Sequence, residues 1–168
     1  MAYLYSDNLT QTRTNLLNEI SKLSSDELNK LTDGSSWSIA QVCHHLYLSE
    51  KVFTDAIVYG LNKQNGHHTE PKKIQFALDR TKKLQAPDMV IPEKEHLEVE
   101  QINTLLTQSR KRLIDVLNTI EDTSLLEDRS AKHPFFGDLP LFQWIELIYL
   151  HEQRHIEQIK EIKLKNNL

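Results

Sequence analysis

Four stretches of this chain repeat apolar residues at intervals of three and four positions, the spacing that places them along one face of an α-helix. The stretches cover about residues 8–23, 36–61, 95–120 and 138–164. Nowhere do apolar and polar residues alternate over the length of a strand, and only 4 Gly and 5 Pro interrupt the 168 residues. The pattern predicts an all-α protein, a four-helix bundle without a β-sheet.

The connection between the second and third helices is unusually long for a compact domain. Residues 62–92 are polar and contain Gly66 and three of the 5 prolines. A short helix is predicted inside this connection, near residues 74–83. A connection of this length suits a crossover between two adjacent helices that run in the same direction, and it is also a kind of segment that often carries function.

Local signals mark where several helices begin and end. Ser24 or Ser25 is suited to cap a short helical turn at residues 26–31. The run Gly34-Ser35-Ser36 is predicted to break the chain before the second helix, and Asp138 is predicted to cap the fourth. These signals confine the long helices to the four apolar stretches.

Length, charge and cysteine content bound the class of protein. The chain of 168 residues is expected to form one domain, residues 1–168, whose core needs no disulfide. The formal net charge is -4 and no basic cluster stands out, so we expect no nucleic-acid partner. The single cysteine, Cys43, fits a reducing compartment. Residues 1–10 lack the pattern of a signal peptide, and no stretch reaches about 18 apolar residues, which predicts a cytoplasmic protein without a membrane partner.

Helical phase directs three of the histidines toward the predicted core. At about 100 degrees per residue, His45 lies within the wide apolar arc of the second helix, whereas His44 lies about 100 degrees away, outside that arc. On the fourth helix His151 lies within the apolar arc, and His155, four residues later, lies about 40 degrees from it. All three imidazoles are therefore expected to point into the bundle, where residues spaced i and i+4 can reach a common ion.

Inward histidines at this spacing are typical of a metal site, although a single buried histidine is more often a hydrogen-bonded core residue. Two of them buried without an ion leave ring N–H groups in need of partners in an apolar layer, whereas imidazoles bound to a cation avoid this cost. We predict a divalent metal ion bound by His45, His151 and His155, with one coordination position open for water or substrate. Three imidazoles suit Zn, Ni, Fe and Cu alike.

Residues 151–155 read His-Glu-Gln-Arg-His and match the H-E-x-x-H string of zinc proteases. We reject a protease, because only 13 residues follow His155, and because Gln158 and Glu161 stand where one protease class requires Gly and His. The string instead places two ligands one turn apart. Glu152 lies about 80 degrees from their midline and is the candidate catalytic residue, a general base for a metal-bound water. A solvated carboxylate, or one that supports the ligands, is the favoured alternative.

The remaining candidate side chains fit ordinary roles. Cys43 lies about 160 degrees from His45 on the helical wheel, which favours packing over metal binding or nucleophilic attack. His67 and His68 fall in a polar loop, where a solvated position is favoured over a surface metal contact. His133 precedes a proline and is expected to pack at the end of the bundle. None of these residues is predicted to belong to the metal site.

Two segments of the chain carry a family resemblance. The first is Trp37-Ser38-Ile39-Ala40-Gln41-Val42, followed by His45-Leu46 and Glu50, and the second is His133-Pro134-Phe135-Phe136-Gly137-Asp138-Leu139, followed by Trp144, His151, His155 and Gln158. In this combination the chain resembles the DinB/YfiT-like superfamily of small helical metalloproteins. The likeness covers both ends of the chain, whereas residues 62–92 carry no signature of it.

The resemblance implies an up-down-down-up four-helix bundle, which agrees with a long crossover between helices 2 and 3. It also implies that His45, His151 and His155 hold the metal ion, often nickel, zinc or iron. Homodimers are common among such proteins. Better understood members include low-molecular-weight thiol transferases, notably bacillithiol S-transferases, and mycothiol-dependent isomerases.

The chain is accordingly expected to be a metal-dependent transferase that acts on a small-molecule substrate with a low-molecular-weight thiol, whose pKa the ion lowers. Gln41, Glu152 and Gln158 are candidates to support the ligands. Three alternatives stay open. They are a metal-dependent hydrolase, a non-catalytic metal-binding or stress-response module, and a helical protein that has lost its metal.

Overall fold

The chain forms four long helices and several short elements in the computed structural model, which describes residues 3–32, 37–63, 66–82 and 85–168. In chain order the helices are α1 (Tyr3–Ile20), α2 (Ser25–Asn29), α3 (Ile39–Asn62), α4 (Val99–Asn118), α5 (Leu125–Asp128) and α6 (Leu141–Asn166). Two 3₁₀ turns, Ile74–Leu78 and Asp88–Val90, lie between α3 and α4. The four predicted long helices are present with ends shifted by a few residues. Among the helices described, none combines the length and the apolar character that a membrane crossing requires.

Side-chain caps fix where two of the helices begin. Ser24 accepts a hydrogen bond from the backbone N–H of Glu27, whose carboxylate accepts one from the backbone N–H of Ser24 in return. Ser38 and Gln41 repeat this arrangement at the start of α3. These capping boxes satisfy N–H groups that a first helical turn leaves unpaired. Ser24 thus caps the short predicted helix, while the predicted break at Gly34-Ser35-Ser36 lies outside the described residues.

Replacing Ser38 by alanine is expected to lower the free energy of unfolding by about 1 kcal/mol, because the first turn of α3 loses its side-chain cap. Urea denaturation in the presence of a chelator, followed by circular dichroism, measures the change. Ser21→Ala is the matched control, since the Ser21 hydroxyl donates to the Asn18 carbonyl in an exposed position and does not cap the first turn of a helix. Equal losses in the two variants would contradict the assignment of Ser38 as a cap.

Contacts between the long helices fix their relative directions. Successive contacts advance along both helices between α1 and α6 and between α3 and α4, so each of these pairs is parallel. They run in opposite senses between α3 and α6 and between α1 and α4. The parallel directions follow from Arg13–Glu152 with Glu19–Lys163 for α1 and α6, and from Glu50–Arg110 with Asp55–Arg112 for α3 and α4. The antiparallel directions follow from His45–His155 with Phe53–Trp144 for α3 and α6, and from Leu9–Arg110 with Arg13–Leu106 for α1 and α4. The bundle is therefore up-down-down-up, as expected.

The crossover between α3 and α4 is held against α6 and α3. Its first 3₁₀ turn packs on α6, where Arg154 donates to the backbone carbonyls of Ala77 and Lys82 at 3.1 and 3.0 Å. Its second turn reaches α3, and there the carbonyl of Val90 lies beside His45. The short helix predicted at residues 74–83 is thus a 3₁₀ turn of 5 residues.

A small β-hairpin precedes α6, so the prediction that the chain contains no sheet is wrong. β1 (Ser130–His133) pairs antiparallel with β2 (Gly137–Pro140), and Gly137 adopts a φ of 72°, which a residue without a Cβ tolerates. Strands of 4 residues are too short to display a readable alternation. Asp138 lies within β2 and does not cap α6, which begins at Leu141.

A polar layer divides the apolar core into two clusters. Each long helix contributes apolar side chains to both clusters and polar side chains between them. The first cluster includes Leu9, Ile57, Leu113, Leu141 and Trp144, and the second includes Leu16, Ile39, Leu46, Ile102 and Ile159. The polar layer comprises Thr12, Arg13, His45, Glu50, Ser109, Arg110, His151, Glu152 and His155. The reactive side chains of the bundle are thus gathered at one level along its axis.

Candidate metal centre

His45, His151 and His155 meet in the polar layer. α3 supplies His45, and α6 supplies the other two, one helical turn apart. The Nε2 atom of His151 lies 3.2 Å from that of His45 and 3.1 Å from that of His155. One ligand atom from each residue lies within 4.8 Å of the others. The structure therefore brings together the three histidines that helical phase selects.

Hydrogen-bond acceptors orient two of the three imidazole rings. Nδ1 of His45 donates to the carbonyl oxygen of Val90 at 2.7 Å, and Nδ1 of His155 donates to Oε1 of Gln158 at 2.7 Å. A proton on Nδ1 leaves Nε2 of the same neutral ring with a free lone pair. Both rings therefore present Nε2 lone pairs toward His151, in the way that metal-ligating histidines are held.

The donor set fits a divalent cation. Two nitrogens bound at about 2.0–2.1 Å to one tetrahedral ion lie about 3.3–3.4 Å apart, close to the 3.1 and 3.2 Å between these Nε2 atoms. Without a cation, His151 has at most one Nε2 proton to share between two facing lone pairs. The hydroxyl of Ser49 lies 3.5 Å from Nε2 of His45, too far for a strong hydrogen bond. A bound cation satisfies all three lone pairs at once.

Burial keeps the three imidazoles in their neutral form. It lowers the pKa of His45, and it lowers the pKa of His155 to about 3 with a further contribution from His45. Burial, together with the neighbouring His155 and His45, also holds the pKa of His151 well below its ordinary value. Neutral imidazole is the form that binds a metal ion. The histidines are therefore ready to act as ligands at neutral pH.

Aromatic rings flank the histidines. The ring centroid of Trp37 lies 4.8 Å from that of His45, and the centroid of Phe53 lies 5.6 Å from that of His151. The ring centroid of His133, a buried residue of β1, lies 6.0 Å from that of Phe53. Among the described residues the cluster comprises three histidines and no carboxylate, so these side chains carry no charge to offset that of a divalent ion.

Glu152 belongs to a buried group of four charges, Arg13, Glu50, Arg110 and Glu152, which we call the charge cluster. Its carboxylate accepts hydrogen bonds from Thr12 at 2.6 Å, from Arg13 at 2.7 Å and from Arg110 at 3.1 Å. Glu50 pairs with Arg110 at 2.5 Å and with Arg13 at 2.9 Å. Burial alone raises the pKa of Glu50, but the two arginines outweigh it and hold that pKa below its ordinary value. The general-base role of Glu152 stays a prediction.

The sequence matches known proteins over most of its length. A sequence model of the DinB superfamily matches residues 8–159, a span that includes all three histidines. This chain belongs to the DinB superfamily. YuaE of Bacillus subtilis (strain 168), an uncharacterized protein, is 29% identical over 155 residues, which are 92% of this chain and 94% of YuaE. OB0413 of Oceanobacillus iheyensis, provisionally named a metal-dependent hydrolase, is 27% identical over 158 residues, which are 94% of this chain and 82% of OB0413.

Two solved structures share the fold of this DinB superfamily member. TT2238, described as a four-helix bundle protein, matches with a TM-score of 0.65 at 17% identity and covers 96% of this chain and 99% of its own. YfiT from Bacillus subtilis is described as a probable metal-dependent hydrolase with an unusual four-helix bundle topology. It matches with a TM-score of 0.65 at 18% identity and covers 97% of this chain and 86% of its own. These likenesses establish the four-helix-bundle fold.

The sequence predicts only some of the contacts that orient the three histidine rings. Gln158 accepts the hydrogen bond from Nδ1 of His155, which is the contact expected of a residue that supports this ring. The prediction for Gln41 is wrong, because its side chain caps α3 and donates to the backbone carbonyl of Glu93 instead of reaching His45. The acceptor for His45 is the Val90 carbonyl, a backbone group in the crossover. A backbone carbonyl leaves no signal in the residue type, so the sequence could not indicate it.

The other candidate side chains lie outside the cluster, as expected. Nδ1 of His44 accepts a hydrogen bond from the backbone N–H of Glu93 at 3.3 Å, away from the three histidines. Cys43 is buried in the apolar core, and burial raises the pKa of its thiol to about 12, so no thiolate forms there at neutral pH. The rings of His67 and His68 are exposed.

Gln158→Leu is expected to weaken metal affinity about 10- to 100-fold, because His155 loses the acceptor that orients its ring. Competition with a chromophoric chelator measures the dissociation constant. Gln153→Leu on the same helix is the control, since its amide donates to Glu157 and not to a histidine of the cluster, and it should leave the affinity unchanged. If Gln158→Leu also bound metal like the wild type, packing alone would suffice to orient His155.

Proposed function

We propose that this protein is a metal-dependent enzyme whose zinc, nickel or iron ion is held by His45, His151 and His155. The convergence of three Nε2 atoms in the polar layer carries the proposal, because two of these rings already commit their Nδ1 protons to other acceptors. Three protein ligands leave a coordination position for a small molecule, the pattern of catalytic sites. The descriptions of OB0413 and YfiT as metal-dependent support the same conclusion.

The leading reaction is the transfer of a low-molecular-weight thiol to an electrophilic small molecule, as in bacillithiol S-transferases. A divalent ion on three uncharged ligands lowers the pKa of a thiol and so provides thiolate at neutral pH. The sulfur then forms a bond to the electrophilic carbon, the leaving group departs with the electron pair of its own bond, and the thiol proton passes to solvent. Trp37 and Phe53 pack beside His45 and His151, where they would limit the access of bulk water to the reacting atoms.

Hydrolysis is the second candidate reaction, and the descriptions of OB0413 and YfiT as metal-dependent hydrolases favour it. In this reaction Glu152 would accept a proton from the attacking water. However, Arg13 and Arg110 hold the Glu152 carboxylate in ion pairs at 2.7 and 3.1 Å, which favours a supporting role over proton transfer. Thiol transfer needs no such base and is therefore the leading proposal.

We further propose that the protein is a cytoplasmic homodimer that acts on a small molecule and has neither a nucleic-acid nor a membrane partner. The net charge of -4 supports the exclusion of nucleic acid. The dimer and the location rest on the resemblance and on the single cysteine. Size-exclusion chromatography with light scattering measures the oligomeric state, and a monomer at micromolar concentration would contradict the dimer.

Metal analysis combined with an activity screen tests the proposed function. Purified protein is expected to contain one divalent ion per chain and to conjugate at least one cellular thiol to 1-chloro-2,4-dinitrobenzene or monochlorobimane. His45→Ala should lose both properties. His96→Ala is the matched control, because His96 is exposed beside Glu98, and it should retain both.

Each other outcome selects among the alternatives. Turnover of p-nitrophenyl esters without thiol conjugation would favour the hydrolase. Stoichiometric metal without turnover of any thiol or ester would favour a non-catalytic module. Failure of the wild-type protein to bind added Zn²⁺, Ni²⁺ or Fe²⁺ would overturn the metal site itself.

A further inference from the structure

His151 differs from the other two histidines in how its ring is held. Val90 and Gln158 accept the Nδ1 protons of His45 and His155, but no described residue accepts a hydrogen bond from Nδ1 of His151. If Nε2 of His151 binds an ion, its Nδ1 carries a proton and requires an acceptor. His151 is also the one of the three histidines that is only partly buried.

A small cavity lies between His151 and the charge cluster. The four charged residues of that cluster line it, together with the apolar side chains of Leu46, Phe53 and Ile148. The cavity volume that is open to the centre of a water molecule is about 10 Å³. That is enough for one water molecule, provided that polar partners surround it.

The hydrogen bonds of the two carboxylates leave one acceptor position on each. A carboxylate offers about four lone-pair positions. Glu152 uses three of them, for Thr12, Arg13 and Arg110. Glu50 also uses three, for the two arginines and for Ser109. One lone pair on each carboxylate is therefore available to a donor in the cavity.

We propose that one ordered water molecule occupies this cavity, accepts a hydrogen bond from Nδ1 of His151 and donates one to each of Glu50 and Glu152. Three hydrogen bonds are the usual number for a buried water. The charge cluster then serves as the outer support of the third ligand, in the role that Val90 and Gln158 play for the other two. Glu50 and Glu152 are thus positioning residues that act through His151, and this inference rests on the proposed metal site.

Crystals of the wild-type protein test the water directly. Structures at about 1.5 Å or better, with and without added Zn²⁺, are expected to show a water within hydrogen-bond distance of Nδ1 of His151 and of both carboxylates. A dry cavity, or a water that contacts neither carboxylate, would overturn the inference. Because both crystal forms are examined, this result stands whether or not the protein binds metal.

Metal affinity tests whether the charge cluster supports the ligand. Glu152→Gln and Glu50→Gln keep the shape of each side chain but remove its charge, and each is expected to weaken Zn²⁺ affinity about 10- to 100-fold. Each should also shift the visible absorption spectrum of the Co²⁺-substituted protein. Leu113→Ala is the control, because it removes a buried side chain from the first apolar cluster, outside the polar layer.

The comparison separates a positioning role from a general loss of stability. Leu113→Ala should destabilise the bundle while it leaves Zn²⁺ affinity and the Co²⁺ spectrum unchanged. If the glutamine variants behaved like Leu113→Ala, the support of His151 by the charge cluster would be disproved although the metal site stood. If the wild type bound no Zn²⁺, the proposed function would fail instead, and the crystals alone would decide on the water.

Discussion

His151→Ala is expected to eliminate stoichiometric metal binding by this protein. Nε2 of His151 lies between those of His45 and His155, so its loss leaves two nitrogens from different helices. The dissociation constant for Zn²⁺ should rise by more than the ~10- to 100-fold that loss of a supporting residue causes. Isothermal titration calorimetry with Zn²⁺ and with Ni²⁺ measures the change.

The control for this experiment is an exposed histidine on another element. His96→Ala should bind Zn²⁺ like the wild type, since the His96 ring is about half exposed and lies beside Glu98, away from the three histidines. Circular dichroism should show that His151→Ala keeps its helical content, because both apolar clusters remain intact. Retention of tight Zn²⁺ binding by His151→Ala would place the metal elsewhere.

Arg110→Met is expected to lower the free energy of unfolding by about 3–5 kcal/mol, because it leaves two buried carboxylates with only the charge of Arg13 to compensate them. Arg110 donates to both Glu50 and Glu152, and its side chain is only 13% exposed. It also donates to the carbonyl of Leu9 in α1, so one side chain links three helices to its own. Methionine keeps the aliphatic length of the arginine, which makes the lost charge the main change.

Urea denaturation at pH 7 with a chelator present measures this loss without a contribution from bound metal. Arg112→Met is the matched control on the same helix, because Arg112 pairs with Asp55 where both side chains are substantially exposed. Such a surface pair contributes about 0–1 kcal/mol. Similar losses for the two variants would show that the charge cluster adds little to stability.

The histidine site could be predicted because helical periodicity is a local property. In a helix of known phase, the position of His45 relative to its apolar neighbours follows from spacing alone, and so does the exclusion of His44. The i,i+4 spacing of His151 and His155 likewise places both rings on one face without knowledge of other helices. The cap of the short helix α2 is also a local property, and the sequence narrows it to Ser24 or Ser25, of which the structure selects Ser24.

Contacts between distant segments could not be predicted in this way. Arg13 and Glu152 are 139 positions apart, and each alone resembles a solvated charge on a helix surface. The β-hairpin before α6 gives no readable sequence pattern because its strands are short. The role of the Val90 carbonyl as the acceptor for His45 gives none because every residue type carries a backbone carbonyl. These features arise only when the helices pack and bring the segments together.

The sequence by itself determined the helices, the histidines that face inward and the connection long enough for a crossover, since each depends on spacing along one segment. The tertiary structure alone decided that the three rings share one point, that four buried charges lie beside them, and that His151 faces a cavity between the two. Periodicity selects a face of a helix, whereas burial, pairing and hydration depend on which other helix covers that face.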